Sequence, residues 1–149
     1  MRKQTNIEKI KALRASDYAQ IGEAITYLLL SAFLIHLVPF RRWHRWIGEQ
    51  SSTEENLPLS SEQETKIYKL KHNVRRANKI MGNTSKCFAM SLTMKKMLSR
   101  RNLPAMLYLG VQKDGEKNLK AHAWVKSGKH IIYGGRNAGK KFKQLISFA

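Results

Sequence analysis

A polar, acidic segment at residues 49–64 interrupts the chain and limits how the rest can fold. The segment has five acidic and no basic side chains, contains a proline and lacks a sustained hydrophobic period. Residues 1–48 carry eight basic and three acidic side chains, whereas residues 65–149 carry 20 and two. We therefore predict a helical N-terminal extension at residues 1–48, an acidic linker at 49–64 and a folded domain at 65–149.

The composition favours a small globular protein of the cell interior. The chain has 149 residues, of which 42% are hydrophobic, which suits one compact core with an appendage. Cys87 is the only cysteine, so the chain can form neither an intramolecular disulfide nor a four-cysteine zinc site. We expect a cytoplasmic protein with no metal site.

An apolar stretch of 17 residues at 24–40 is at the lower limit of length for a membrane span. Acidic residues precede it and no signal-type cleavage site follows, which argues against secretion. The next residues, RRWHRWI at 41–47, mix basic and aromatic side chains as interfacial segments do. The favoured interpretation is a buried helix followed by a capping turn. The alternative is peripheral membrane contact through residues 24–47.

The C-terminal part has the pattern of two helices followed by strands. Apolar residues at steps of three and four predict an amphipathic helix over 63–82, and a second helix is expected over 86–100 after caps at 83–85. Strands are predicted at 105–112, 119–126 and 130–133, with turns between them. The tail at 142–148 could be a fourth strand or a short helix. The fold class is α+β, with helices packed on a small antiparallel sheet.

Cys87 and His122 form the candidate chemical pair. Cys87 falls in the first turn of a predicted helix, where the helix dipole and unpaired backbone N–H groups favour a thiolate and could hold an oxyanion. His122 lies in a predicted strand whose alternation places it on one face with Trp124, and it can face Cys87 if the sheet packs on the cysteine helix. Separately, an inert buried thiol and a structural histidine are the common fates of these residue types. Together they match a Cys–His nucleophilic site.

The third residue of such a site is not obvious. Residues 123–149 contain neither Asp nor Glu, so an acid downstream of the histidine is ruled out. Among the downstream amides, Asn137 is the favoured candidate for orienting the ring of His122. A backbone carbonyl or a partner protein is the alternative.

The net charge of +18 indicates an anionic partner. The lysines and arginines are dispersed and no nucleic-acid-binding motif is present, which favours a solvated basic surface or an acidic protein partner over specific nucleic-acid binding. A non-catalytic basic module that binds RNA or an acidic protein is therefore a competing hypothesis. A thiol acyltransferase or amidase on the same fold is a third.

Three stretches together resemble the proteases of lasso-peptide biosynthesis, which are transglutaminase-like in fold and papain-like in chemistry. They are SKCFAMSLTMKKMLSRRNLPAMLYLGV at 85–111, KAHAWV at 120–125, and Gly128. The resemblance is close over residues 65–149, and LVPFRR at 37–42 is similar to the short N-terminal extension of the family.

The resemblance implies a leader peptidase in which Cys87 is the nucleophile and His122 the base, and which needs no cofactor for the cleavage itself. It also implies partners: the leader of a ribosomally made precursor peptide, a small separate leader-binding protein, and an ATP-using macrolactam synthetase that resembles asparagine synthetase. Members with a full triad carry an Asp after the histidine strand. Gly134 and Gly135 stand at about that place here.

Overall fold

The computed structural model describes residues 13–51, 58–115, 118–135 and 137–149. Within these ranges the chain forms five helices and four strands, which confirms the predicted α+β class. The helices are α1 (Ala15–Leu37), α2 (Phe40–Ile47), α3 (Ser61–Ile80), α4 (Cys87–Ser99) and α5 (Ala138–Lys141). The strands are β1 (Met106–Asp114), β2 (Asn118–Ser127), β3 (His130–Tyr133) and β4 (Lys143–Phe148).

The four strands form one antiparallel sheet in the order β3-β2-β1-β4. The tail is thus a strand, and it pairs with β1 rather than with its neighbour in sequence. Leu107, Ala123 and Val125 lie in the main core with the helices. Because side chains alternate along a strand, Tyr108 and Trp124 lie on the opposite face, in a smaller cluster that includes Ala138 of α5.

Helix α3 begins inside the segment predicted as linker. Ser60 caps it: the Ser60 hydroxyl accepts from the Gln63 N–H at 3.2 Å, and the Gln63 side chain accepts from the Ser60 N–H at 2.9 Å. Residues 52–57 lie outside the described residues. Gln50, also in the predicted linker, forms a β-bridge with Phe148. The division into extension, linker and domain stays a prediction, but residues at both ends of the segment are ordered parts of the fold.

The N-terminal helices share the main core with the rest of the protein. Ile21, Ala24 and Leu28 of α1 are buried in the same cluster as the apolar faces of α3 and α4. The stretch predicted as a capping turn is helix α2, which buries Trp43 and Ile47. Because these side chains are buried, the two N-terminal helices form one side of the main hydrophobic core.

Two polar contacts fix α1 in place. The Asp17 carboxylate accepts from the Asn73 amide at 3.0 Å and lies 3.1 Å from the Lys69 ammonium. The hydrogen bond from Asn73 is the main reason that the pKa of Asp17 is lowered, and Lys69 adds to this effect. Glu23 accepts two hydrogen bonds from the Arg101 guanidinium, at 2.6 and 3.1 Å. Such paired bonds to charged groups are specific in direction as well as stabilising.

Lys95 of α4 is buried, and its burial carries a free-energy cost. Its side chain donates to the Ser99 hydroxyl at 3.0 Å, and desolvation lowers the pKa of Lys95 from 10.5 to about 8. Between those two pH values the unfolded chain binds a proton that the folded protein lacks, so folding stability from this group rises with pH. Below about pH 8 the cost of burying the charge is present in full.

We expect Lys95→Met to raise the free energy of unfolding at pH 7 by about 1–3 kcal/mol, since it removes a buried charge. Urea unfolding of wild type and variant at pH 7 and pH 10 measures the effect. The difference in the free energy of unfolding between wild type and variant should be smaller at pH 10 than at pH 7. Lys129→Met, at an exposed turn, is the control and should change little at either pH. Destabilisation of Lys95→Met at pH 7 would contradict this account.

Candidate active site

Cys87 is the first residue of helix α4, and its side chain is half-buried. The helix begins one residue later than predicted. Its N-cap is Lys86, in an extended conformation, and not one of the predicted residues at 83–85. The first backbone N–H groups of a helix have no partner within it, and they carry the positive end of the dipole. The sulfur therefore lies where negative charge is favoured.

His122 lies in β2, paired with Gly110 of β1. As predicted from alternation, His122 and Trp124 share a face, and their rings stack at 6.4 Å. Helix α4 packs on the other face, where the Ser91 hydroxyl donates to the Ala123 carbonyl at 3.1 Å. Alternation therefore places His122 on the face of the sheet opposite α4, and not on the face that packs on the cysteine helix, as was expected.

The edge of the sheet explains why Cys87 and His122 nevertheless line the same pocket. Strand β3 pairs with β2 only from Val125 onward, so the half of β2 that holds His122 is not covered by β3. Cys87 and His122 both line one surface pocket of about 520 Å³ at this edge. The other lining residues come from α3 and from β3 with the glycines that follow it: Lys71, Arg75, Ile131, Ile132, Tyr133, Gly134 and Gly135.

The ring of His122 is held on two sides. Its Nε2 lies 2.6 Å from the carbonyl oxygen of Gly134, and its face stacks on Phe142 with centroids 4.7 Å apart. A carbonyl oxygen can only accept, so Nε2 carries the hydrogen and donates it. In the neutral ring the free lone pair is then on Nδ1. The geometry therefore leaves Nδ1 as the atom able to take a proton.

Gly134 can adopt this position only because it has no side chain. Its φ is +98°, and a Cβ there would lie 2.4 Å from the Cβ of Trp124. Any residue with a side chain at this position would need the backbone to move. The carbonyl of Gly134 is the partner that the structure gives to Nε2 of His122. This is the backbone alternative that the sequence left open.

Asn137 follows β3, as predicted, but the structure does not place it at His122. It is exposed, it precedes the short helix α5, and it is not among the residues that line the pocket. The partner that the structure gives His122 is Gly134. The prediction that Asn137 orients the ring has no support in this geometry.

Tyr133 and Arg75 add to the electrostatics of the pocket, and sequence reasoning did not identify either. Burial raises the pKa of the Tyr133 hydroxyl, the positive charge of Arg75 opposes the rise, and negative charge on Cys87 adds to it. Tyr133, Arg75 and Cys87 are therefore close enough to interact electrostatically. The only available signal was the spacing of Lys71 and Arg75, four residues apart on one helix face.

The described residues contain no group of three or more His, Cys, Asp or Glu side chains that could hold a metal. A second pocket, of about 470 Å³, lies between α1 and the end of α4 and is lined in part by Glu23, Tyr27 and Arg100. It contains no cysteine or histidine. Cys87 and His122 instead line the same pocket at the sheet edge, and these are the two residue types that a Cys–His hydrolase uses.

Comparison with known families agrees with the fold and with this class of site. Residues 34–147 match the family model described as the transglutaminase-like superfamily. The match covers more than half of the chain, and the protein belongs to this superfamily, whose members are typically Cys–His hydrolases. No curated protein and no solved structure matched the chain. The family match begins within α1, so it includes α2 as well as the domain predicted at 65–149.

Proposed function

We propose that this protein is a cysteine peptidase that removes the leader from a ribosomally synthesised lasso-peptide precursor. The observation that carries the proposal is the shared pocket of Cys87 and His122, with His122 oriented by the carbonyl of Gly134. Membership of the transglutaminase-like superfamily supports a cysteine-protease-type activity. The resemblance in residues 85–111 and 120–125 supplies the substrate and the partners.

The proposed reaction has two stages. His122 Nδ1 takes the proton of the Cys87 thiol, and the thiolate attacks the carbonyl carbon of the bond between leader and core. Backbone N–H groups in the first turn of α4 stabilise the oxyanion. His122 then protonates the leaving amine as the C–N bond breaks, which frees the core and leaves the leader as a thioester on Cys87. Water, deprotonated by His122, hydrolyses the thioester and regenerates the thiol.

The lining of the pocket favours an acidic or polar peptide. Lys71 and Arg75 contribute positive charge from α3, and no acidic side chain is among the described residues that line the pocket. Long-range attraction would speed the encounter with an acidic leader segment or an acidic leader-binding protein. The small leader-binding protein would present the leader, and the macrolactam synthetase would receive the freed core.

The test is the intact mass of a leader–core peptide incubated with the full chain and the leader-binding protein. Wild type should convert the precursor into two fragments whose masses sum to the precursor plus one water. Cys87→Ala should show no cleavage above background while it still binds the leader-binding protein, since only the nucleophile is lost. Ser61→Ala, at an exposed position of α3 that does not line the pocket, is the control and should cleave as wild type does.

Two other results would point elsewhere. If Cys87→Ala cleaves as fast as wild type, the peptidase proposal is wrong. If wild type binds an RNA or an acidic protein, releases no fragment, and keeps that binding in Cys87→Ala, the basic binding module is the better account. The charge of +18 favours that second candidate most directly.

A further inference from the structure

Helix α1 has two apolar faces, of which one is exposed. Its inner face packs against α3 and α4. On the outer face, Leu29, Phe33 and Leu37 follow one another at steps of four and are 56%, 54% and 70% exposed. Residues four apart lie on the same side of a helix, so these side chains form a continuous stripe. Leu30 and Phe40, at 38% and 39% exposed, widen and extend it.

Exposed arginines follow directly on the apolar end of this stripe. In α2, Trp43 and Ile47 turn inward, while Arg41, Arg42 and Arg45 are exposed. A long apolar stripe beside a set of basic side chains is the composition of helices that lie in the interface of an anionic bilayer. Leu and Phe side chains enter the acyl boundary there, and arginines contact the lipid phosphates.

The helix is held on the domain and does not leave it to cross a bilayer. By length and composition alone α1 could span a membrane, with a mean hydropathy of 1.4 over its most apolar window. Asp17 and Glu23, however, tie it to Asn73 of α3 and to Arg101 after α4. Its inner face also belongs to the main core. Only the outer face is available to lipid.

We propose that the outer face of α1 together with the arginines of α2 is a surface that binds anionic lipid bilayers. We call these residues the membrane face: Leu29, Leu30, Phe33, Leu37, Phe40, Arg41, Arg42 and Arg45. Charge complementarity favours an anionic bilayer as the binding partner. All the charged side chains of the membrane face are positive, and each phosphatidylglycerol headgroup carries a negative charge. The inference does not depend on the proposed peptidase activity.

Sedimentation of the full chain with lipid vesicles tests the proposal. At physiological salt the protein should bind vesicles of phosphatidylcholine mixed with phosphatidylglycerol, and should bind pure phosphatidylcholine vesicles more weakly. Leu29→Ser combined with Phe33→Ser should lower binding about tenfold or more, since two exposed apolar anchors are lost. Arg41→Gln combined with Arg42→Gln should lower it about 25-fold, at about fivefold for each charge.

The chain offers a matched control on the sheet. Leu119 and Leu145 are 67% and 62% exposed, and neither belongs to the membrane face. Leu119→Ser combined with Leu145→Ser should therefore leave vesicle binding unchanged. Because every substituted residue is exposed, we expect circular dichroism to show that each variant is folded.

Three results would overturn the proposal. Absence of binding to either kind of vesicle is one, and an equal loss of binding in the Leu119/Leu145 control is another. The third is a stable dimer that forms without lipid and is abolished by the Leu29/Phe33 variant, which would identify the occupant as a second copy of the chain.

Discussion

His122→Gln is expected to cleave the precursor about 10²–10⁴-fold more slowly than wild type, because a positioned general base contributes about that factor. The amide of Gln can still donate to the carbonyl of Gly134, so the variant keeps the hydrogen bond that holds His122 in the pocket. It cannot take the proton of Cys87. The loss should appear in the rate of cleavage at saturating precursor, measured by intact mass, rather than in leader binding.

The chain contains a matched histidine for comparison. His130, on the neighbouring strand β3, is exposed and lies 3.8 Å from Glu64, and it is not among the residues that line the pocket. His130→Gln should therefore cleave at the wild-type rate. A comparable loss in both variants would mean that His122 acts through the fold and not through proton transfer.

Gly134→Ala should combine a loss of stability with a loss of activity. A methyl group there would lie 2.4 Å from Trp124 Cβ, so the chain after β3 must shift. Overpacking costs about 1–3 kcal/mol, and a positive φ in a non-glycine residue costs about 1–3 kcal/mol more. The shift also moves the carbonyl away from His122 Nε2. We expect thermal unfolding at lower temperature and, in the fraction still folded, slower cleavage.

A variant at Gly135 separates the steric cost from the cost of a positive φ. Its φ is +94°, close to that of Gly134, but a Cβ there would meet nothing within 4 Å. Gly135→Ala should therefore show the conformational cost without the steric one, and cleavage should stay near the wild-type rate. If the two variants lose equal stability and equal activity, the close approach to Trp124 is not what matters at Gly134.

The sequence predicted those elements whose pattern is local. The period of α3, the place of Cys87 in the first turn of a helix and the alternation of His122 with Trp124 depend on residues near in sequence, and the structure has all three. The place of β4 beside β1 depends on pairing between segments that are distant in sequence. The strand character of residues 143–148 alone therefore could not predict which strand they pair with. For the same reason, the contacts of α1 with α3 and α4 were beyond sequence reasoning.

Within the candidate site, the side chains could be predicted and the backbone could not. Cys87 and His122 are recognisable because their chemistry is in their side chains. The partner of His122 is a carbonyl group that every residue has, so a search among side chains led to Asn137 instead. What makes Gly134 special is a positive φ and a close contact with Trp124, which depend on the folded sheet.

The packing of α2 against the N-terminal end of α4 has a practical consequence. The ring of Trp43 lies 5.9 Å from that of Phe88, the residue after the nucleophile, and Gln50 bridges to Phe148. A truncated fragment starting at residue 65 would lose that aromatic support and expose the apolar faces it covers. Expression trials of a minimal catalytic fragment should therefore retain the first two helices.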